Sequence, residues 1–219
     1  MPIKAVIFDM DGVLIDAKLW HFEALNRALR LFGFEIDTHD HEHRFDGLPT
    51  RVKLEMLSEE RELPRGLHSF INKMKQEYTK EAIAQRLVPS PAHIHALATL
   101  KEAGFTLAVA SNSIRSTIAE MMDKAQLTEY LDFYLSNEDV SNPKPSPQIY
   151  FKAMELAGVR PSECLILEDS PFGLKAAYDS GAYVLKVDSV GDVSYGNIMQ
   201  RINDIISIET TTIRYREAA

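Results

Sequence analysis

The chain has 219 residues, enough for one medium-sized domain or a domain carrying a smaller inserted module. An apolar fraction of 45% and a charged fraction of 26% belong to an ordinary folded chain and exclude intrinsic disorder. A formal net charge of -8 with no Lys/Arg block excludes a nucleic-acid binder, and no apolar run reaches membrane-spanning length.

The opening MPIKAVIF enters an apolar strand with no basic leader before it, so a soluble cytoplasmic protein is expected. That strand ends in FDMDG, residues 8–12. Side chains at i and i+2 of a strand share a side, so Asp9 and Asp11 crowd two negative charges together. A plain loop, with Gly12 supplying the turn, is one reading. The other is a pair of carboxylates that share a partner.

Residues 17–86 show no strand pattern. In WHFEALNRALRLFG, Phe22, Leu25, Leu29 and Phe32 recur at helical spacing, and VKLEML, HSFINKMKQEY and KEAIAQRL continue in that manner. The spacing predicts an all-helical cap, with Trp20, Met74 and the Phe/Leu stripe as its core. In THDHEHR, His39, His41 and His43 alternate, but the stretch is polar and lacks a partner ligand cluster, so a solvated connection is expected.

From residue 87 the chain returns to a body of alternating strands and helices, with Pro89 and Pro91 marking the seam. Apolar runs at 105–112, 131–137, 163–169 and 182–188 read as strands buried on both sides, the mark of a parallel sheet wrapped by helices. Ser113 is placed to cap the helix after the second strand. Ser146-Pro147 opens the next helix, which Gly158 closes, and Pro171 opens another that runs to Gly181. Cys164, the only cysteine, lies inside an apolar run and reads as a small core residue. The tail TTTIRYREAA reads as an edge strand or a frayed end. The expected architecture is α/β: a Rossmann-like body of residues 1–16 and 87–219 with a helical cap of residues 17–86.

In open parallel sheets, ligands bind outside the carboxyl ends of the strands. There the first strand offers Asp9 and Asp11, the second Ser111 and Asn112, and the fourth Glu168 and Asp169. The loop after the third offers Lys144. Hard carboxylate oxygens suit Mg²⁺, which would relieve the crowding in FDMDG. Ser111 next to a helix N-terminus suits a phosphate oxygen. Lys144 is framed by prolines 143, 145 and 147, which favour extended backbone and a stiffly held ammonium. Taken alone, that segment also reads as a solvated lysine in a proline-rich turn.

Taken in order, Asp9-x-Asp11-Gly12, Ser111, proline-flanked Lys144 and Glu168-Asp169-Ser170 with Gly173 resemble the four motifs of the haloacid dehalogenase (HAD) superfamily. The helical insert after the first motif resembles the cap of its phosphatase and β-phosphoglucomutase-like branch. The resemblance implies that Asp9 is the nucleophile forming an aspartyl-phosphate and that Asp11 is general acid and then general base. It also implies Mg²⁺ held by the Asp9 side chain, the Asp11 carbonyl and Asp169, with Glu168 near the metal or its waters. Ser111, Asn112 and Lys144 would bind the phosphoryl group of a small phosphorylated metabolite, a sugar phosphate first, in a monomeric enzyme.

The same resemblance sorts the chemistry. Metal-free dehalogenases of the family typically lack the second aspartate, which Asp11 supplies here. Phosphonatase chemistry requires a desolvated cap lysine, and nothing in the sequence marks Lys18, Lys73 or Lys75 as such. The mutase branch shares a cap histidine, here His21, but has a threonine where this chain has Ala17. Many phosphatase relatives read Asp-Ser/Thr-Glu where this chain reads Asp16-Ala17-Lys18. Lys18 with Arg51 of GLPTR would make the mouth positive for a substrate with a second anionic group; a solvated surface lysine is the alternative. A response-regulator receiver would take phosphate after a middle strand and lack the cap, and a silent binding protein of this fold would show an eroded quartet.

Overall fold

The computed structural model describes residues 3–217. Five parallel strands form one sheet: β1 (Ala5–Phe8), β2 (Thr106–Ala110), β3 (Phe133–Leu135), β4 (Cys164–Glu168) and β5 (Tyr183–Lys186). Their order is β3-β2-β1-β4-β5. The chain therefore winds outward from β1 in both directions, which leaves a crevice at the carboxyl end of β1.

Alternation along the strands feeds two cores, one on each face of the sheet. Val6, Phe8, Leu107, Val109, Leu165 and Leu167 point into the larger. Ala5, Ile7, Ala108, Ala110, Cys164 and Ile166 point into the other, which confirms Cys164 as a buried core residue.

Helices cover both faces, the arrangement that makes continuous apolar strands stable. The cap contributes α1 (Lys18–Arg30), the single turn α2 (Thr38–Asp40), α3 (Thr50–Arg61) and α4 (His68–Arg86). The body contributes α5 (Pro91–Glu102), α6 (Arg115–Lys124), α7 (Gln148–Ala157), α8 (Pro171–Asp179) and α9 (Tyr195–Glu217). The apolar faces of α5, α6 and α9 enter the larger core, whereas those of α7 and α8 enter the other. The cap helices close over a separate core that includes Leu25, Leu29, Ile36, Phe45, Leu54, Leu57 and Ile71. Among the described residues, no helix is long and apolar enough to cross a membrane.

Three local expectations change. The tail is helical as far as Glu217, the end of α9, and so is not an edge strand; Ala218 and Ala219 lie outside the described residues. THDHEHR is not a loop: it continues from α2 into a π-helical turn, His41–Phe45, where His41 is buried and stacks on Phe22 at 4.3 Å. Helical spacing brings His39 and His43 into stacking contact at 4.3 Å, which a strand would not do. Ser113 does not cap α6, whose N-cap position is Ile114 with no side-chain bond.

Candidate active site

Register sets the site. Phe8 pairs with Val109 on one side and Leu167 on the other, and the Asp9 N–H donates to the Leu167 carbonyl at 2.9 Å. Asp9 thus emerges at the end of the central strand, between the ends of β2 and β4. Gly12, at φ 94°, turns the chain away, a conformation that favours glycine.

Asp9 and Asp11 part company at once. Asp9 is 7% exposed and its Oδ1 accepts from Lys144 Nζ at 2.7 Å. Burial and the neighbouring Glu168 charge push its carboxyl well above the usual range, with Lys144 as counterweight. Asp11 turns towards the cap, where His21 Nε2 donates to Oδ1 at 2.9 Å and Ser113 Oγ donates to Oδ2 at 2.9 Å. Burial alone would raise its pKa, but the neighbouring His21, these two hydrogen bonds and the Lys75 charge bring it below the ordinary value.

Lys144 is 3% exposed and bridges two carboxylates, Asp9 and Glu168 Oε1, the latter at 2.6 Å. Burial would lower its pKa, yet the two anions outweigh burial and raise it, so the ammonium is secure. Its ring neighbour is Tyr150, with Nζ 4.7 Å from the centroid, and the Tyr150 hydroxyl donates to Glu168 Oε1 at 2.7 Å. Nothing in the sequence separates Tyr150 from an ordinary helix-core tyrosine.

Glu168 is fully buried; its Oε2 accepts from the Asp169 N–H at 3.0 Å and from the Ser170 N–H and hydroxyl at 3.4 Å. Its carboxylate is thus committed to the protein. Asn112 is equally committed: its amide Nδ2 donates to the Gly47 and Lys144 carbonyls, and its Oδ1 accepts the Lys144 N–H at 3.0 Å. It fixes the lysine arm and ties the cap loop to the body. Ser111, 1% exposed, has its hydroxyl oxygen accepting the Ser113 N–H at 3.0 Å.

The donor set fits a divalent cation. Carboxylate oxygens of Asp9, Glu168 and Asp169 lie within 4.8 Å of one another, and buried Asp169 Oδ1 has no hydrogen-bond partner. Hard oxygens with one orphaned acceptor are what a small cation completes.

A cleft of about 290 Å³ opens above these groups, lined by both cap and body. Its cap wall overturns one expectation. Lys75 is desolvated after all, 7% exposed, and so is Lys53, 8% exposed; burial lowers both to about 8. Lys75 Nζ lies 3.1 Å from His21 Nδ1, which completes a Lys75–His21–Asp11 chain across the cleft. His21 donates from Nε2, so Nδ1 accepts from the ammonium, and burial holds the imidazole towards its neutral form. Lys53 makes no hydrogen bond or ion pair among the described residues. Both lysines lie on amphipathic helices, where sequence alone cannot tell a solvent face from a cleft face. Arg51 lines the same cleft from an exposed position. Lys18 also lines the cleft, and its Nζ lies 2.5 Å from Asp169 Oδ2 and 3.4 Å from Asp46 Oδ2.

A parallel sheet with an inserted helical cap and this acidic quartet defines a class of hydrolase, and comparison with known proteins agrees. The family pattern of the haloacid dehalogenase-like hydrolases matches residues 6–187, and the chain belongs to that family. It is 33% identical over 179 residues to the phosphorylated carbohydrates phosphatase of Thermotoga maritima, covering 82% of each chain. It is 26% identical over 179 residues to the phosphoglycolate phosphatase of Aquifex aeolicus, again covering 82% of each. The crystal structure of β-phosphoglucomutase from Clostridium difficile shares the fold, with a TM-score of 0.80, 22% identity, and coverage of 94% of this chain and 99% of that one. The protein is a phosphoric monoester hydrolase of the HAD superfamily.

Proposed function

We propose that the protein is a Mg²⁺-dependent phosphatase that releases phosphate from a small phosphorylated metabolite, a sugar phosphate in the first instance, through an aspartyl-phosphate on Asp9. It acts as a cytoplasmic monomer, with residues 17–86 as the cap. The observation that carries this reading is the unlike treatment of two neighbouring carboxylates: Asp9 is paired with an ammonium, and Asp11 is held by two hydrogen-bond donors. The similarity to a phosphatase of phosphorylated carbohydrates supports the substrate class.

Lys144 holds Asp9 Oδ1, which leaves the other oxygen to attack phosphorus as the ester P–O bond breaks. Asp11 gives its proton to the departing alkoxide, then takes one from the water that hydrolyses the aspartyl-phosphate and restores Asp9. The resting Asp11 favours its ionised form. An arriving phosphate dianion adds negative charge beside it and raises its proton affinity, so substrate itself prepares the acid. Ser111 and Lys144 grip the transferring group, and Asn112 keeps Lys144 in place. Asp9, Asp169 and the Asp11 carbonyl would hold Mg²⁺, which supplies charge neutralisation between nucleophile and phosphate dianion. Lys53 and Lys75, buried cations facing the cleft, favour substrates with a further anionic group.

A sugar phosphomutase is the second reading. His21 bonded to Asp11 favours it, whereas Ala17, fully buried and without a hydroxyl, does not. A screen of phosphorylated metabolites with Mg²⁺ or EDTA tests both. Phosphate release that needs Mg²⁺ and is lost in Asp9→Asn is expected. Turnover surviving in Asp9→Asn refutes the nucleophile, and isomer exchange without phosphate release moves the assignment to mutase.

A further inference from the structure

Lys18 is the first residue of α1, at the junction of cap and body. Its ammonium reaches across that junction to Asp169 Oδ2 at 2.5 Å, and on the cap side it is 3.4 Å from Asp46 Oδ2. The Asp169 side chain is 5% exposed and that of Lys18 35%, so the contact is shielded mainly from the body side. The route is narrow. A Cβ at position 12 would lie 2.5 Å from Lys18 Cε and 2.0 Å from Asp169 Oδ2, so a side chain there would have to displace both groups.

We propose that Lys18 is a built-in rival of the divalent cation for Asp169, and that through Lys18 cation binding is coupled to the docking of the cap loop around Asp46 and Gly47. The inference rests on the reading that Asp169 is a cation ligand. An ammonium already in contact with one oxygen of that carboxylate repels a second positive charge approaching the other. Cation binding and the Lys18–Asp169 contact therefore oppose each other, and the coupling is reciprocal. Asp46 gives the displaced ammonium somewhere to go, so Lys18 stays with the cap when it leaves Asp169. What the body loses is one tie to the cap. The hydrogen bond from Asn112 Nδ2 to the Gly47 carbonyl at 2.8 Å remains as the other tie to that loop.

The test is calorimetric titration of substrate-free protein with Mg²⁺. Lys18→Met is expected to bind Mg²⁺ roughly tenfold more tightly than wild type. Asp46→Asn, which removes the alternative anchor and leaves Lys18 to Asp169, is expected to bind more weakly. Saturating Mg²⁺ should speed amide exchange of residues 46–48 in wild type and not in Lys18→Met. Unchanged or weaker Mg²⁺ affinity in Lys18→Met, or tighter affinity in Asp46→Asn, overturns the coupling while leaving the cation site standing. Should Asp169→Asn bind Mg²⁺ as well as wild type, the cation site and the coupling fall together.

Discussion

Lys53 and Lys75 are the residues whose behaviour depends most on the fold. Each is a surface-type side chain drawn into a wall, with burial lowering its pKa from 10.5 to about 8. The unfolded chain then binds more protons than the folded one between pH 8 and 10.5, so these lysines add stability as pH rises through that window. Relative to Lys53→Met, wild type should gain on the order of 2 kcal/mol by pH 10, read from denaturant melts across pH. Anion binding has the opposite sign. Below about pH 8 both ammonium groups are charged, so KM for a substrate with two anionic groups should rise above that pH, and less steeply in Lys53→Met.

At the scale of elements, the turn from β4 into α8 does the most precise positioning. Ser170 caps α8 by accepting the Gly173 N–H at 3.1 Å, and the same turn presents Glu168 to Lys144 and Tyr150. Gly173 is required by space: a Cβ there would lie 2.0 to 2.1 Å from the Glu168 carboxylate. Gly173→Ala should therefore cost about 1 to 3 kcal/mol through overpacking. Because Glu168 must move, it should also lower kcat more than Gly66→Ala, whose added Cβ meets nothing within 4 Å. Equal activity in the two variants would mean that Glu168 does not hold Lys144 in place.

For the whole molecule, the cleft joins cap and body, so a ligand that bridges them stabilises both. Inorganic phosphate with Mg²⁺ at about 100 times its dissociation constant should add about 2.7 kcal/mol, or roughly 5 to 10 °C in Tm for a chain of this size. Asp169→Asn should abolish the Mg²⁺-dependent part of that shift. A cap that melted separately from the body would give two transitions in place of one shifted transition.

Much of this molecule is legible before folding. The strands are apolar runs too continuous for a half-exposed sheet, so all five could be placed within a few residues, and Asp9, Asp11, Ser111 and Asp169 follow strand ends while Lys144 lies in the loop after β3. The sequence by itself determined the neighbourhood of Asp9, because a strand end is a local fact and period-two alternation carries it. Only the tertiary structure decided what each charged side chain faces. Ser113 turned from a helix cap into a donor to Asp11, His41 from a solvated residue into one stacked in the cap, and Lys18 gained Asp169 as a partner. Lys53 and Lys75 became a buried cationic wall for the same reason. Burial and pairing arise between segments far apart in sequence, and helical periodicity does not record which neighbour will cover a polar face.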